Sequence, residues 1–175
     1  MVAKAVDVVI RQEKPQDRQH VFEVNASAFE TGAEAKLVEA LRFTAEPVIS
    51  LVAILGDRLV GHIMFTPVKV QNVTGLPLTL ALGPVAVVPD IQNRWIGSKL
   101  VRAGLAGCRA LGAEAVFVLG HPRYYPRFGF PAAAPFGLRY ESEEYDPFFM
   151  VLELRPKALA LMSGFVEYLP EFNEV

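Results

Sequence analysis

Residues 82–97 decide the fold of this chain, and they read LGPVAVVPDIQNRWIG. An apolar run ends at Val88, Pro89 breaks it, and the polar residues 90–94 form a loop before a helical pattern begins. The first turn of a helix has unpaired backbone N–H groups, and its dipole favours negative charge. A strand, a short loop and a helix N-terminus therefore predict a site for a phosphate or diphosphate group.

The residues on either side of this stretch predict further strands and helices. Short apolar and β-branched runs predict strands at residues 6–11, 51–55, 60–70, 79–88, 115–119 and 148–154. We expect strand 60–70 to be long and to bend near Pro67. Helical spacing of apolar residues predicts a helix opened by Pro15, a second helix after Gly32, and a third from about residue 97 to 111.

The order of these elements predicts the architecture. With a further helical segment between the last two strands, the chain reads β-α-α-β-β-β-α-β-α-β, which combines antiparallel hairpins with a β-α-β crossover. Residues 115–119, AVFVL, are apolar throughout, as expected of a strand that is buried on both faces. We expect a mixed α/β fold, with a central mixed β-sheet of six to seven strands and helices on both faces.

Size and composition favour a single globular domain over residues 1–175. Hydrophobic residues make up 52% of the chain and charged residues 21%, so a full core can be buried. The formal net charge of −2 gives no electrostatic basis for nucleic acid binding. No run approaches the ~20 apolar residues of a membrane span, and no signal peptide is visible. Cys108 is the single cysteine, which fits a cytoplasmic location.

A second motif, YYPRFGF at residues 124–130, follows the anion loop after one helix and one buried strand. Together with PDIQNRWIGSKL at residues 89–100, it resembles the GCN5-related N-acetyltransferase (GNAT) superfamily. In that family a Q/R-x-x-G-x-G/A loop binds the pyrophosphate of acetyl-CoA, and a Y-x-x-x-G-F segment lies beside the acetyl group. A closer resemblance, to the bacterial YhbS-type branch of predicted acetyltransferases, rests on LGHPRYYPRFGF at residues 119–130 and on Gly164, Tyr168, Leu169, Pro170 and Phe172.

The resemblance covers residues 8–172 and implies acetyl-CoA as the co-substrate, a GNAT-like sheet, and roles for particular residues. The strand end would offer backbone groups to the pantetheine arm and the thioester through Ala86, Val87 and Val88. The loop would wrap the pyrophosphate with the backbone N–H groups of Gln92, Asn93, Arg94, Trp95, Ile96, Gly97 and Ser98. Tyr125, four residues before Gly129, would be the general acid for the departing thiolate.

The loop departs from the family pattern at Trp95, where the family usually has glycine. Glycine serves where the backbone adopts positive φ or closely approaches a ligand. Tryptophan keeps its backbone N–H, so the contact is retained if its φ and ψ are ordinary helical values. The side chain must then point away from the pyrophosphate or stack over part of the cofactor. We expect cofactor binding to persist.

The general base is the least defined part of the predicted site. Acetyl transfer to an amine requires a neutral amine and a polarised thioester carbonyl, and a free backbone N–H such as that of Val87 could polarise it. In many relatives a glutamate lies on the strand before the anion loop, but residues 79–88 contain no carboxylate. Glu30 and Glu34 are the alternatives, although both could be ordinary helix-end carboxylates. A water chain, or an amine deprotonated in solution, would also serve.

Several other residues have a structural interpretation. His121, in the sequence Gly-His-Pro, is expected to fix a turn by hydrogen bonds, and Cys108 lies on an apolar helix face as a core thiol. Tyr125 could instead be a packing tyrosine whose hydroxyl caps a backbone group. Tyr124 is expected to be structural or part of the acceptor wall. No spacing of His, Cys, Asp or Glu indicates a metal site.

The sequence therefore predicts an acetyl-CoA-dependent N-acetyltransferase that moves the acetyl group directly to an amine of a small molecule or a protein. No metal, nucleic acid or membrane partner is expected. A non-catalytic acyl-CoA-binding or regulatory module is the alternative, and a structural domain that no longer binds CoA is a third. The aromatic and acidic tail, residues 160–175, could pack on the core, cover the acceptor cleft or join a homodimer.

Overall fold

A computed structural model describes residues 7–175, which form nine strands, three α-helices and several short 3-10 turns. The helices are α1 (Arg18–Ala28), α2 (Ala33–Thr44) and α3 (Ile96–Ala110). The strands are β1 (Val8–Gln12), β2 (Ile49–Leu55), β3 (Arg58–Pro67), β4 (Lys69–Val73), β5 (Thr79–Val87), β6 (Ala115–Leu119), β7 (Leu138–Arg139), β8 (Phe149–Glu153) and β9 (Met162–Glu167). Residue 6, where we expected the first strand to begin, lies outside the described residues.

The main sheet has six strands in the order β1-β2-β3-β5-β6-β8. All neighbouring pairs are antiparallel except β5 and β6, which are parallel and are connected through α3. This β5-α3-β6 crossover is the parallel unit that the sequence predicted around the anion loop. The expected mixed sheet with helices on both faces is confirmed.

Strand alternation on β3 separates the two faces of the sheet. On one face lies α3, where Phe65 packs directly against Gly104. On the other lie α1 and α2, which form an apolar cluster with Met64. The final 3-10 turn, Pro170–Glu174, packs beside α2 through Phe172. The tail therefore belongs to the folded body on the second face.

A second, three-stranded sheet was not expected. It has the order β4-β9-β7 and covers the second face beside β6 and β8, where Phe117 and Phe149 stack. The predicted long strand 60–70 is divided into β3 and β4. The tail, for which no strand was expected, contributes β9, in which Met162 and Val166 are the two buried side chains. Two buried positions in six give a weak alternation signal, which explains the omission.

The expected helical segment between the last two strands is also wrong. The described residues there form three 3-10 turns, Tyr125–Phe128, Ala134–Phe136 and Glu143–Tyr145, together with β7. Prolines and glycines divide this region into pieces too short for an α-helix. The region thus forms loops, which bring Tyr125, Tyr140 and Tyr145 beside residues 82–85 of β5.

Candidate functional site

The site begins where two parallel strands separate. Pairing between β5 and β6 covers only Thr79, Leu80 and Ala81 opposite residues 115–117. Beyond this point β5 continues beside β3 as far as Val87, with a register shift that places one extra residue on β5 between Leu82 and Val85. Bulges of this kind redirect a strand and are frequent beside active sites. The edge of β5 that faces β6 is therefore open from residue 82 onward.

A cavity of about 550 Å³ lies between this open edge and the start of α3. Seven of the ten predicted cofactor residues line it, namely Val87, Gln92, Asn93, Trp95, Ile96, Gly97 and Ser98. The lining also includes His121 and Arg127 but no carboxylate among the described residues. The cavity is thus suited to an anionic ligand.

Backbone N–H groups without an acceptor lie along this cavity. Among the described residues, the N–H groups of residues 92–98 have no backbone or side-chain acceptor, and the first paired one is Lys99, which donates to the carbonyl of Trp95 over 2.9 Å. On β5, Val88 donates to Val60 over 3.0 Å, so by strand alternation the N–H of Val87 points away from β3 toward the gap. The Gln92 side chain donates to the Val87 carbonyl over 2.9 Å and ties the loop to the strand.

The remaining three predicted cofactor residues do not line this cavity. Ala86 pairs with His62, and Val88 donates its N–H to Val60, so the backbone groups of both residues face β3 rather than the gap. Arg94 is exposed and lies outside the lining residues. Val85, one position earlier on the same side of the strand as Val87, does line it.

Trp95 has a backbone conformation that differs from the expectation. Its φ of 65° and ψ of 5° are left-handed rather than ordinary helical values. Glycine adopts this region without strain, whereas other residues are destabilised there by about 1 kcal/mol. Trp95 is 71% exposed, so its side chain is not buried in the cavity that the residue helps to line, and its backbone N–H has no acceptor among the described residues. The family glycine and this tryptophan can therefore provide the same backbone shape.

Tyr125 lies at the inner end of the cavity. Its ring packs against the backbone of Gly120, where an added Cβ would come within 2.3 Å of the ring, so only glycine fits there. Tyr124 and Phe130 meet the ring edge to face at centroid distances of 5.1 and 6.0 Å. These contacts hold the ring on three sides, while the hydroxyl makes no hydrogen bond with the described residues. Within the described residues the hydroxyl caps no backbone group, whereas the ring contacts fit the alternative interpretation of Tyr125 as a packing tyrosine. That interpretation and the role of general acid both stay predictions.

Burial determines the protonation of Tyr125. The ring is 8% exposed, and burial, with a smaller contribution from Tyr124, raises the pKa of its hydroxyl above the ordinary tyrosine value. A hydroxyl with a raised pKa stays neutral at physiological pH and can donate a proton. This state suits an acid and excludes a resting phenolate.

A second cavity, of about 570 Å³, meets the first at Val85 and Tyr125, which line both. The bulged part of β5 lines it, together with Phe29 just after α1, residues of α2, the loops before β8 and the tail. Apolar and aromatic side chains dominate the lining, together with the carboxylates Glu34 and Glu141. The two cavities therefore open on different sides of one tyrosine.

The two candidate bases, Glu30 and Glu34, differ in their surroundings. Glu34, in the first turn of α2, lines the second cavity, and its Oε2 atom is buried without a hydrogen-bond partner among the described residues. Glu30 is exposed and does not line either cavity. Of the two, Glu34 is the carboxylate that an acceptor in this cavity would meet.

Several lining residues were not among the predicted catalytic and cofactor residues, although the sequence had suggested contact with CoA phosphates or an anionic acceptor for Arg127. Tyr124 lines the first cavity, with its hydroxyl 3.0 Å from where a Cβ on Gly97 would lie, and so is not part of the acceptor wall. Arg127 lies 4.5 Å from the Tyr124 ring centroid. The tyrosines of the second cavity, Tyr140, Tyr145 and Tyr168, carried no motif signal except for Tyr168.

Other predictions fall outside these cavities or at their edges. His121 accepts a hydrogen bond from the backbone N–H of Arg123 over 3.1 Å, which confirms that it fixes the turn. Cys108 is fully buried, and burial raises the pKa of its thiol to about 12. Within residues 7–175, no three His, Cys, Asp or Glu side chains are grouped to hold a metal ion. In the same range no helix is long and apolar enough to cross a membrane.

Comparisons with known proteins agree with this arrangement. Residues 9–133 match the model of the acetyltransferase (GNAT) domain family. The chain is 40% identical to the uncharacterized N-acetyltransferase YjhQ of Escherichia coli over 120 residues, which are 67% of this chain and 66% of that protein. It is 35% identical to the uncharacterized N-acetyltransferase YhbS of E. coli over 168 residues, which are 95% of this chain and 99% of that protein.

Two solved structures extend the agreement. The E. coli YhbS crystal structure in complex with CoA superposes with a TM-score of 0.90 at 33% identity, covering 99% of this chain and 96% of that one. A GNAT acetyltransferase from Brucella melitensis in complex with acetyl-CoA gives a TM-score of 0.77 at 34% identity, covering 95% of this chain and 99% of that one. On the fold, the separated strands and these matches, this chain belongs to the GNAT family of acetyltransferases.

Proposed function

We propose that this protein transfers the acetyl group of acetyl-CoA directly to a primary amine, within one domain that includes the tail. The observation that carries the proposal is the meeting of two chemically different cavities at Val85 and Tyr125. The first cavity suits an anionic cofactor, and the second suits an amine. Relatives named as bound to CoA or acetyl-CoA support the choice of cofactor.

The first cavity would hold acetyl-CoA through main-chain contacts. The free N–H groups of residues 92–98, at the positive end of α3, would bind the diphosphate. The open edge of β5, with backbone groups of Val85 and Val87, would pair with the pantetheine arm. Trp95 would contribute its backbone N–H to the diphosphate, and its exposed indole would lie outside the diphosphate contacts. Acetyl-CoA supplies the activated acetyl group when it is bound.

Transfer requires three contributions from this chain. Glu34 would accept a proton from the acceptor ammonium, directly or through water, because its buried Oε2 has no other partner. The backbone N–H of Val87 would polarise the thioester carbonyl. Tyr125 would give its proton to the departing sulfur as the C–N bond forms and the C–S bond breaks. The neutral amine loses a second proton as the C–N bond forms, and this proton replaces the one that Tyr125 gave to the sulfur. The first proton passes from Glu34 to solvent, so the ammonium loses two protons, of which one is matched by the sulfur and one is released.

Acetyl-CoA binding and amine-dependent thiol release together test this function. Calorimetry should show one acetyl-CoA site per chain, and free thiol should appear only when an amine is present. Mass spectrometry should then find one acetyl group on the amine. Tight acetyl-CoA binding without transfer to any amine in a broad panel would favour the alternative, a non-catalytic binding module. A cytoplasmic location and a homodimer stay predictions.

A further inference from the structure

We infer that the acceptor is a small amine with a single positive charge on an apolar body, rather than a polyamine, an amino acid or a protein lysine. The inference rests on the proposed function, because it concerns the acceptor that would occupy the second cavity. Its evidence is the charge, the aromatic lining and the size of that cavity.

The charge of the cavity favours a cation. Glu34 and Glu141 are the two ionisable carboxylate side chains in the lining, and no Lys, Arg or His from residues 7–175 lines it. A buried carboxylate oxygen without a hydrogen-bond partner is costly, and an ammonium ion would satisfy the one on Glu34. Primary amines are mostly protonated at neutral pH, since a lysine amine has a pKa of about 10.4. An acceptor that carried its own carboxylate would be repelled.

The aromatic lining adds to this preference. Tyr140 meets Tyr145 at a centroid distance of 5.2 Å and Tyr168 at 5.1 Å, with interplanar angles of 80° and 63°. All three tyrosines line the cavity, and aromatic faces attract an ammonium group. Burial comes first among the causes that raise the pKa of Tyr140 to about 12 and raise the pKa of Tyr168 further. The rings therefore stay neutral and add no second negative charge.

The rest of the lining selects the body of the acceptor. Apolar side chains dominate the lining, including Phe29, Leu37, Leu82, Leu119 and Phe172. A polyamine has charged groups along its length and would leave at least one of them against this apolar surface without a partner. An aryl or alkyl amine would place its single charge at Glu34 and its body on the apolar walls.

The size of the cavity favours a small molecule. A volume of about 570 Å³ lies within the range of about 300–1,000 Å³ that is usual for small-ligand sites. The tail residues Phe172, Asn173 and Val175 also line the cavity, so the tail takes up part of the space around a bound acceptor.

The test compares four acceptors with the full chain and acetyl-CoA: 2-phenylethylamine, phenylalanine, spermidine and a lysine-containing peptide. Because a charged group that is repelled or left without a partner in the cavity weakens binding by about tenfold or more, kcat/KM for 2-phenylethylamine should exceed that for each of the others by about tenfold. Glu34→Gln should reduce the preference for 2-phenylethylamine over phenylalanine by about tenfold, since it removes the repelling charge. This ratio cancels any loss of proton acceptance, because both acceptors need that step equally.

Glu141→Gln at the cavity rim should also lower the preference for 2-phenylethylamine over phenylalanine, but by a smaller factor than Glu34→Gln. Glu144→Gln is the matched control, because Glu144 is an exposed carboxylate of the same loop that lines neither cavity. A preference for phenylalanine, spermidine or the peptide would overturn the inference, as would an unchanged ratio in Glu34→Gln. The proposed function would survive those results, and it fails separately if calorimetry shows no acetyl-CoA binding.

Discussion

The two cavities that meet at Tyr125 have nearly equal volumes and opposite chemistry. The one beside α3 has unpaired backbone N–H groups, His121 and Arg127, and lacks carboxylates among the described residues. The one beside α2 has two carboxylates and three tyrosines besides Tyr125, and lacks basic side chains among them. The comparison indicates that a cavity suited to an anion can be built from main chain, whereas a cavity suited to a cation here depends on side chains. Substitutions should therefore affect the two cavities unequally.

Tyr125→Phe should have the largest effect, because Tyr125 belongs to both cavities. Loss of the proton donor should lower kcat by about 100-fold, within the range usual for general acids. The acetyl-CoA dissociation constant should stay unchanged, because the ring and its packing are retained. Steady-state kinetics and calorimetry measure the two quantities.

Tyr124→Phe is the comparison for this prediction, since that hydroxyl lies over Gly97 in the cofactor cavity. It should weaken acetyl-CoA binding rather than lower kcat. If Tyr125→Phe kept full kcat, Tyr125 would be a packing residue.

Replacing an asparagine by aspartate should have a smaller effect than Tyr125→Phe in either cavity. It should weaken ligand binding in the cavity beside α3 and strengthen it in the cavity beside α2. Asn93→Asp adds a negative charge beside the free N–H groups and should weaken acetyl-CoA binding by about tenfold, since like charges are brought together. Asn173→Asp adds the same charge to the amine cavity and should leave acetyl-CoA affinity unchanged while lowering KM for a cationic amine. Calorimetry at two salt concentrations would measure the first effect. Equal effects of both variants on acetyl-CoA would remove the distinction between the cavities.

Trp95→Gly should produce a still smaller change. Glycine accepts the left-handed conformation of this residue, so the free energy of unfolding should rise by about 1 kcal/mol. Acetyl-CoA affinity should change by less than about threefold, because the backbone N–H is retained and a threefold change corresponds to well under 1.4 kcal/mol. Denaturant unfolding and calorimetry would measure both quantities. A large loss of affinity would instead show that the indole stacks on the cofactor.

The pH profile should show no effect of Tyr125 up to pH 10. Burial raises the pKa of its hydroxyl, so the folded protein keeps this proton at a pH where a free tyrosine would begin to lose it. The alkaline decrease in kcat that arises from Tyr125 should therefore lie above pH 10, near the upper limit of a practical assay. A decrease near pH 8 that Tyr125→Phe abolished would contradict this assignment.

Local sequence predicted the cavity beside α3 far better than the cavity beside α2. The strand, loop and helix of residues 82–97 are neighbours in sequence, and strong patterns mark each of them. The wall of the amine cavity instead combines α2, the loop with Tyr140 and Tyr145, and the tail with Tyr168. Only tertiary packing brings these together, so no spacing could indicate them.

Two features of the cavity beside α3 were also not predicted from the sequence. Trp95 adopts positive φ because the turn between the loop and α3 determines the backbone there, against the preference of the residue. Ala86 and Val88 were assigned to the cofactor together with Val87, although alternation along a strand allows only every second residue to face the gap. The sequence identified the segment, but the pairing of β5 with β3 determines which residues face the cavity.

The central claim is that backbone amides at the start of α3 bind the diphosphate of CoA. Titration of isotope-labelled protein with CoA, followed by amide NMR, tests it most directly. We predict that the largest amide shifts occur at Val87 and residues 92–98, while amides of α2 change little. Saturating CoA that left those amides unshifted, or that shifted mainly residues of the amine cavity, would contradict the account.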